Sequence, residues 1–181
     1  MRNDVKNFLQ KVALGGALVA ATVGAQAATQ GTTGTSSTGT VNINLQIDGA
    51  VKISNLADLD LGTFTGTGPL TASDAACVYS NSSTGYSVTA TSSTGSFVLQ
   101  DAGATNSIPF ALTYDDGGAG GPATLSHGVT SGTMANASTI DDDCASSADN
   151  ATVAVSVTAL DASQVPQGAY SSVVTLVVAP L

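Results

Sequence analysis

Between residues 41 and 181 the apolar residues fall in short runs, several of them alternating with polar ones at every second position, and no amphipathic helix stands out. Val41, Ile43, Leu45 and Ile47 alternate with Asn42, Asn44, Gln46 and Asp48. Side chains of a strand point to opposite faces in turn, so this segment reads as a strand with one greasy face. Further strand signals follow at Val51–Ile53, Leu59–Leu61, Ala76–Tyr79, Tyr86–Ala90, Phe97–Leu99 and Ile108–Tyr114, then within Ala151–Leu160 and Tyr170–Val178. Turn residues separate them, Gly62 and Asp115-Asp116-Gly117-Gly118 among them. Many short strands without an amphipathic helix imply an all-β, antiparallel β-sandwich. Residues 117–150, rich in Gly, Ser, Ala and Asp, are expected to form long loops or a short extra hairpin.

Composition narrows the partners. All 13 acidic residues are Asp, and three of the four basic residues (Arg2, Lys6, Lys11) lie in the first eleven positions. Val12–Ala21 is an uninterrupted apolar run, and Ala25-Gln26-Ala27 ends in small residues. A basic start, a short apolar core and such an ending read as a secretory signal peptide over 1–27, cleaved after Ala27. Stretched to Ala25, the run is shorter than the roughly 20 residues a helix needs to cross a bilayer. No membrane insertion is expected of the mature chain. Its 154 residues suit one domain and carry twelve Asp against one Lys, Lys52. Nucleic acids and anionic membrane surfaces demand clustered cations, so neither is an expected partner.

Export gives the two cysteines a meaning. An oxidising compartment favours a Cys77–Cys144 disulfide. Its 66 intervening residues make a loop whose closure is worth about 4 kcal/mol in the chain-entropy model. A closed zinc site would have to recruit several Asp, since only two Cys and one His exist.

Catalytic signals are weak. His127 is the one histidine, in a Gly/Ser-rich stretch, and no Ser has the Gly-x-Ser-x-Gly surroundings of a nucleophile elbow. No Glu exists and no Asp pair stands out for glycosidase work. Asp141-Asp142-Asp143 and Asp115-Asp116 are the best calcium candidates, although they lack the spaced oxygen ligands and terminal Glu of a calcium-hand loop. The chain is not expected to be an enzyme, and no cofactor is expected.

Residues 28–40 are small, polar and rich in Gly and Thr, the composition of a flexible arm. An amphipathic strand directly after such an arm reads either as the first strand of its own sandwich or as a strand given to another subunit's open sheet edge. The order of features resembles the pilus subunits of the chaperone–usher pathway, especially the archaic type that shares the spore-coat-U-like domain. The matching pieces are the signal peptide, Thr40-Val41-Asn42-Ile43-Asn44-Leu45-Gln46-Ile47, Leu59-Asp60-Leu61-Gly62-Thr63-Phe64, and a closing Gly168-Ala169-Tyr170 followed by the Val-rich strand to Val178. Where many such subunits place a first-strand Cys, this chain has Val51 and Ile53.

The resemblance implies an incomplete immunoglobulin-like sandwich over 49–181 that lacks its last strand. The ending at Leu181, three residues past Val178, agrees with that. It further implies a donor strand over 41–48 anchored by Val41, Ile43, Leu45 and Ile47. Other subunits in a homopolymer, a periplasmic chaperone and an outer-membrane usher become the expected partners, and a surface pilus reached through the periplasm the expected location. The competing reading is a monomeric secreted module for carbohydrate or calcium, its 41–47 strand completing its own sheet. Seven aromatic rings in the mature chain, none of them Trp, argue against a sugar-stacking platform.

Overall fold

A computed structural model describes residues 28–181, so the signal segment and its cleavage after Ala27 lie outside the described residues. Nine strands form, with one short helix: β1 Val51–Ser54, β2 Leu70–Ser80, β3 Tyr86–Ser92, β4 Val98–Gln100, β5 Ser107–Pro109, β6 Ala111–Asp115, β7 Ala123–Leu125, β8 Ala151–Val157, α1 Ala159–Ser163 and β9 Val174–Pro180. All pairings between these strands are antiparallel. One sheet has the order β1-β2-β8-β6-β7; β3 pairs with β9, and β4 with β5. The expected all-β, antiparallel sandwich is the observed fold.

The differences from the expected elements have local causes. Ile108–Tyr114 is two strands, not one. Pro109 has no N–H to give a ladder, so β5 ends there; Phe110 N donates to Phe97 O at 3.0 Å, and β6 starts afresh on β8. The run from Ala151 to Leu160 stops at Thr158. Its hydroxyl accepts from Asp161 N at 3.1 Å and so caps α1. Strand β2 begins at Leu70, ahead of the expected Ala76, and Leu59–Leu61 belongs to no strand. Between residues 117 and 150 a short hairpin partner, β7, does form.

The core is fullest around β3. Tyr86, Val88 and Ala90 are inaccessible and pack with Val78, Leu112 and Tyr114. The Tyr86 and Tyr114 hydroxyls hydrogen-bond each other at 2.8 Å, their rings edge to face at 6.5 Å. Burial pushes the Tyr86 phenol up to about 12, and Tyr114 higher still. Both remain protonated through the neutral range.

Beside them, Asp116 ties the 134–136 segment to the end of β6. Its Oδ2 accepts from Ala135 N at 2.8 Å and Asn136 N at 3.1 Å, and its Oδ1 from Gly118 N at 3.0 Å. Burial pushes this carboxyl up, but the amides of Asn136, Gly118 and Ala135 outweigh it and hold it below the usual carboxylate range. Asp116→Ala leaves those donors unpaired and is expected to cost about 1–3 kcal/mol at pH 7. The folded pKa lies below the unfolded one, so the carboxylate's contribution is present above about pH 4 and lost as pH falls. Urea unfolding of both proteins at pH 7 and at pH 3 checks this. Equal stability at pH 7 refutes the role.

The chain divides after Gln46 into two units. In the first, Thr29 and Thr40 are bridged by N–O bonds of 3.1 and 3.0 Å and by contact of their hydroxyls, closing residues 30–39 into a loop. Residues 41–50 belong to none of the strands. In the second unit, the Asn81 side chain grips the stretch before β1. Its Oδ1 accepts from Ala50 N at 2.6 Å, and its Nδ2 donates to Asp48 O at 2.9 Å.

Candidate functional site

One face of the sandwich is left open by the way its first strand ends. Strand β1 pairs with β2 from Val51↔Ser80 to Ser54↔Cys77 and stops. Asn55 takes the left-handed conformation (φ 64°), which Asn tolerates better than most residues, and the chain turns away. Residues 56–64 then run across the sandwich outside any ladder. Their alternation is one of burial only: Leu59 and Leu61 are half-buried against the core, while Asp58 and Asp60 face outward.

Strand β9 lies on the other side of the opening and has a strand, β3, along one edge only among the described residues. Its inward Val174 and Leu176 are half-buried, whereas their neighbours across the ladder, Ser92 and Ala90, are buried. A cavity of 490 Å³ lies between these walls, floored by Leu99, Leu112, Val153 and Val155, and a second, of 920 Å³, lies between residues 59–66 and the 162–172 segment that precedes β9, floored by Leu99, Ile108 and Val157. Leu59, Leu61, Leu99 and Ser172 line both, so they join into one long groove. The core is therefore sealed around Tyr86 and incompletely covered between Leu59 and Leu176. An extended segment is the shape such a groove accommodates, since its side chains alternate between floor and solvent while its backbone faces two walls.

The residues expected to fill such a groove are exposed. Val41 is 73% exposed, Ile43 89%, Leu45 85% and Ile47 76%. Four consecutive outward aliphatics at alternate positions are uncommon on a protein surface that has no use for them.

Cys77 and Cys144 are joined, their Cα atoms 5.8 Å apart. The bond fastens the 141–149 loop to β2. The acidic triplet in that loop holds the loop itself. Asp141 accepts from Ser146 N at 2.5 Å and Asp143 N at 3.3 Å, and the Ser146 amide foremost lowers its carboxyl to about 2. Asp142 meets Lys52 Nζ at 3.1 Å. Asp115 accepts from Gly117 N at 2.9 Å in the turn after β6. These contacts give the acids structural duties, and they bring carboxylate oxygens of Asp141, Asp142 and Asp143 within 4.8 Å of one another. His127 packs edge-on to Phe97 with centroids 5.6 Å apart, and its Nε2 lies 3.4 Å from Ser92 O, contacts that seat a turn.

Sequence reasoning named the 41–47 segment and the disulfide but not the residues that shape the groove. Asn55, Asp74 and the open edge of β9 carried no motif. The one usable signal was Asn55 itself, a residue tolerant of positive φ at the end of a strand.

No family model matches the chain, and no curated protein does either. Among solved structures, the fold is similar to a chain from a chaperone–tip adhesin complex described as vital for synergistic activation of CFA/I fimbriae biogenesis. The TM-score is 0.51 and the sequence identity 17%, over 72% of this chain and 42% of that one. This chain thus spans less than half the length of its structural neighbour. At that identity the likeness establishes a shared β fold. Among the described residues, no helix is long and apolar enough to cross a membrane.

Proposed function

We propose that this protein is a structural subunit of a bacterial surface pilus, assembled by donor-strand exchange. In this reading, Val41, Ile43, Leu45 and Ile47 of one copy enter the groove between residues 56–64 and β9 of the next. The observation that carries it is the match between an incompletely covered apolar groove and an exposed segment with the period of a strand. The fold shared with a protein of a fimbrial complex supports it.

The physics divides the labour. Burying four aliphatic side chains contributes roughly 6–12 kcal/mol, at about 1.5–3 each. Ordering about eight residues costs roughly 8–16 kcal/mol, at about 1–2 each. These nearly cancel, so hydrogen bonds to the free edge of β9 and coverage of the groove's floor decide the outcome. Until a neighbour arrives, the groove exposes core, and a periplasmic chaperone is the interim occupant. Handover takes place at an outer-membrane usher, and the filament serves adhesion or biofilm formation. No catalysis is assigned to the protein.

Size-exclusion chromatography of the mature protein tests the reading. Oligomers growing in steps of one subunit are expected. A stable monomer, made without any chaperone and with residues 41–47 in its own sheet, points instead to a solitary binding module and overturns the pilus assignment.

A further inference from the structure

The groove exists because residues 56–64 do not follow the path that the preceding strand sets for them. The β1–β2 register pairs Val51 with Ser80 and Ser54 with Cys77. Carried three residues further, it would put Asn55 opposite Ala76 and Ala57 opposite Asp74. The opposite edge of β2 is already taken by β8 from Leu70 to Ala76, so a continued first strand would simply widen the sheet. Two side chains stand where that continuation would form. Asn55 is held at φ 64° while its Nδ2 donates to Asp149 Oδ1 at 2.8 Å and Asp143 O at 3.1 Å. Both acceptors sit on the loop that Cys144 fastens to β2 at Cys77, beside Ser54. Two residues on, Ala57 N donates to the Asp74 carboxylate, Oδ2, at 2.6 Å. In the continued ladder the hydrogen-bonding amide would be that of Leu56, opposite Ala75, and the Ala57 amide would face away from β2; here it is turned onto the Asp74 carboxylate instead, which holds the chain out of register with β2. Asp74 itself lines the groove.

We propose that Asn55 and Asp74 act together as a strand switch. They turn the first strand off the β2 edge and hold residues 56–64 across the sandwich as one wall of the groove, so that a strand from another subunit can enter. Both are positioning residues: Asn55 sets the direction and Asp74 sets the stand-off. Their role in assembly rests on the donor-strand reading above, whereas their control of the chain's path does not.

The test uses the full chain in wild-type, N55A/D74A and Asp74→Asn forms. Two quantities are read: binding of a labelled synthetic peptide of residues 40–48 by fluorescence anisotropy, and hydrogen exchange of the amides of residues 56–61 without peptide. N55A/D74A is expected to bind the peptide at least about tenfold more weakly, the scale of one lost charge-assisted hydrogen bond. Its Leu56, Asp58 and Asp60 amides are expected to gain protection as they pair with β2, since these alternate positions would carry the ladder. Asp74→Asn keeps an acceptor oxygen in place and is expected to stay within about threefold of wild type. Lowered thermal stability with unchanged affinity and unchanged exchange would mark a merely structural pair and overturn the proposal. Should the wild type fail to bind the peptide, the donor-strand reading falls, while the exchange data still decide the switch: protection gained supports it, protection unchanged overturns it. If N55A/D74A does not fold, Asp74→Ala alone is read by the same two measurements.

Discussion

Leu45→Asp is expected to leave a protein that folds as the wild type does and forms no filaments. Leu45 is 85% exposed in the subunit, and an exposed substitution usually changes stability by less than about 0.5 kcal/mol. In the proposed donor-strand arrangement the same position would be buried among the aliphatic side chains of a neighbour's groove. Losing the Leu contact removes about 1.5–3 kcal/mol, and desolvating a carboxylate there adds several more. A combined penalty of about 5 kcal/mol is a loss of three to four orders of magnitude in strand binding. Thermal unfolding reads the first half of the expectation; electron microscopy and unboiled gel electrophoresis read the second. Asn44→Asp, one position along and on the solvent side of the strand, is the matched control and is expected to be far milder. Filaments at normal yield from Leu45→Asp would remove residues 41–47 from the assembly mechanism.

The other large effect belongs to the Cys77–Cys144 bond. Replacing both by Ala avoids burying a new hydroxyl, since Cys77 is inaccessible and Cys144 is 5% exposed. The loss is expected at about 2–5 kcal/mol, with about 4 from loop closure over a separation of 67 residues. For a domain of this size that is a fall in Tm of roughly 5–15 °C. Differential scanning calorimetry of the two proteins measures it, and a shift under about 2 °C would show that hydrogen bonds alone fix the 141–149 loop. The same substitution frees the acceptors of Asn55, so peptide binding should weaken along with the melting point.

What the sequence made legible was period, and period reports which way a side chain faces. It located β1, β3 and β4, and it suggested the disulfide. It could not report whether a backbone edge has a partner. Leu59 and Leu61 alternate as a strand does, yet their segment joins no ladder, because Asn55 and Asp74 divert it. The split of Ile108–Tyr114 was legible in principle: Pro109 stands in the middle of the run and cannot donate. So was the end of β8, where Thr158 and Asp161 have the spacing of a helix cap. The first half of β2 was hidden by its Ala, Ser and Asp, which have weak strand preference and are held there by pairing with β8. The groove is a property of two distant edges, and no local pattern encodes it.

The Asn81 grip on Asp48 and Ala50 has a mechanical consequence for a filament built this way. With residues 41–47 locked into one subunit and Asp48 already fastened to the next, the covalent joint between beads has almost no slack. Bending of the whole rod must then come from yielding within the beads or from that side-chain clasp letting go, and the clasp becomes the weakest spring in the chain.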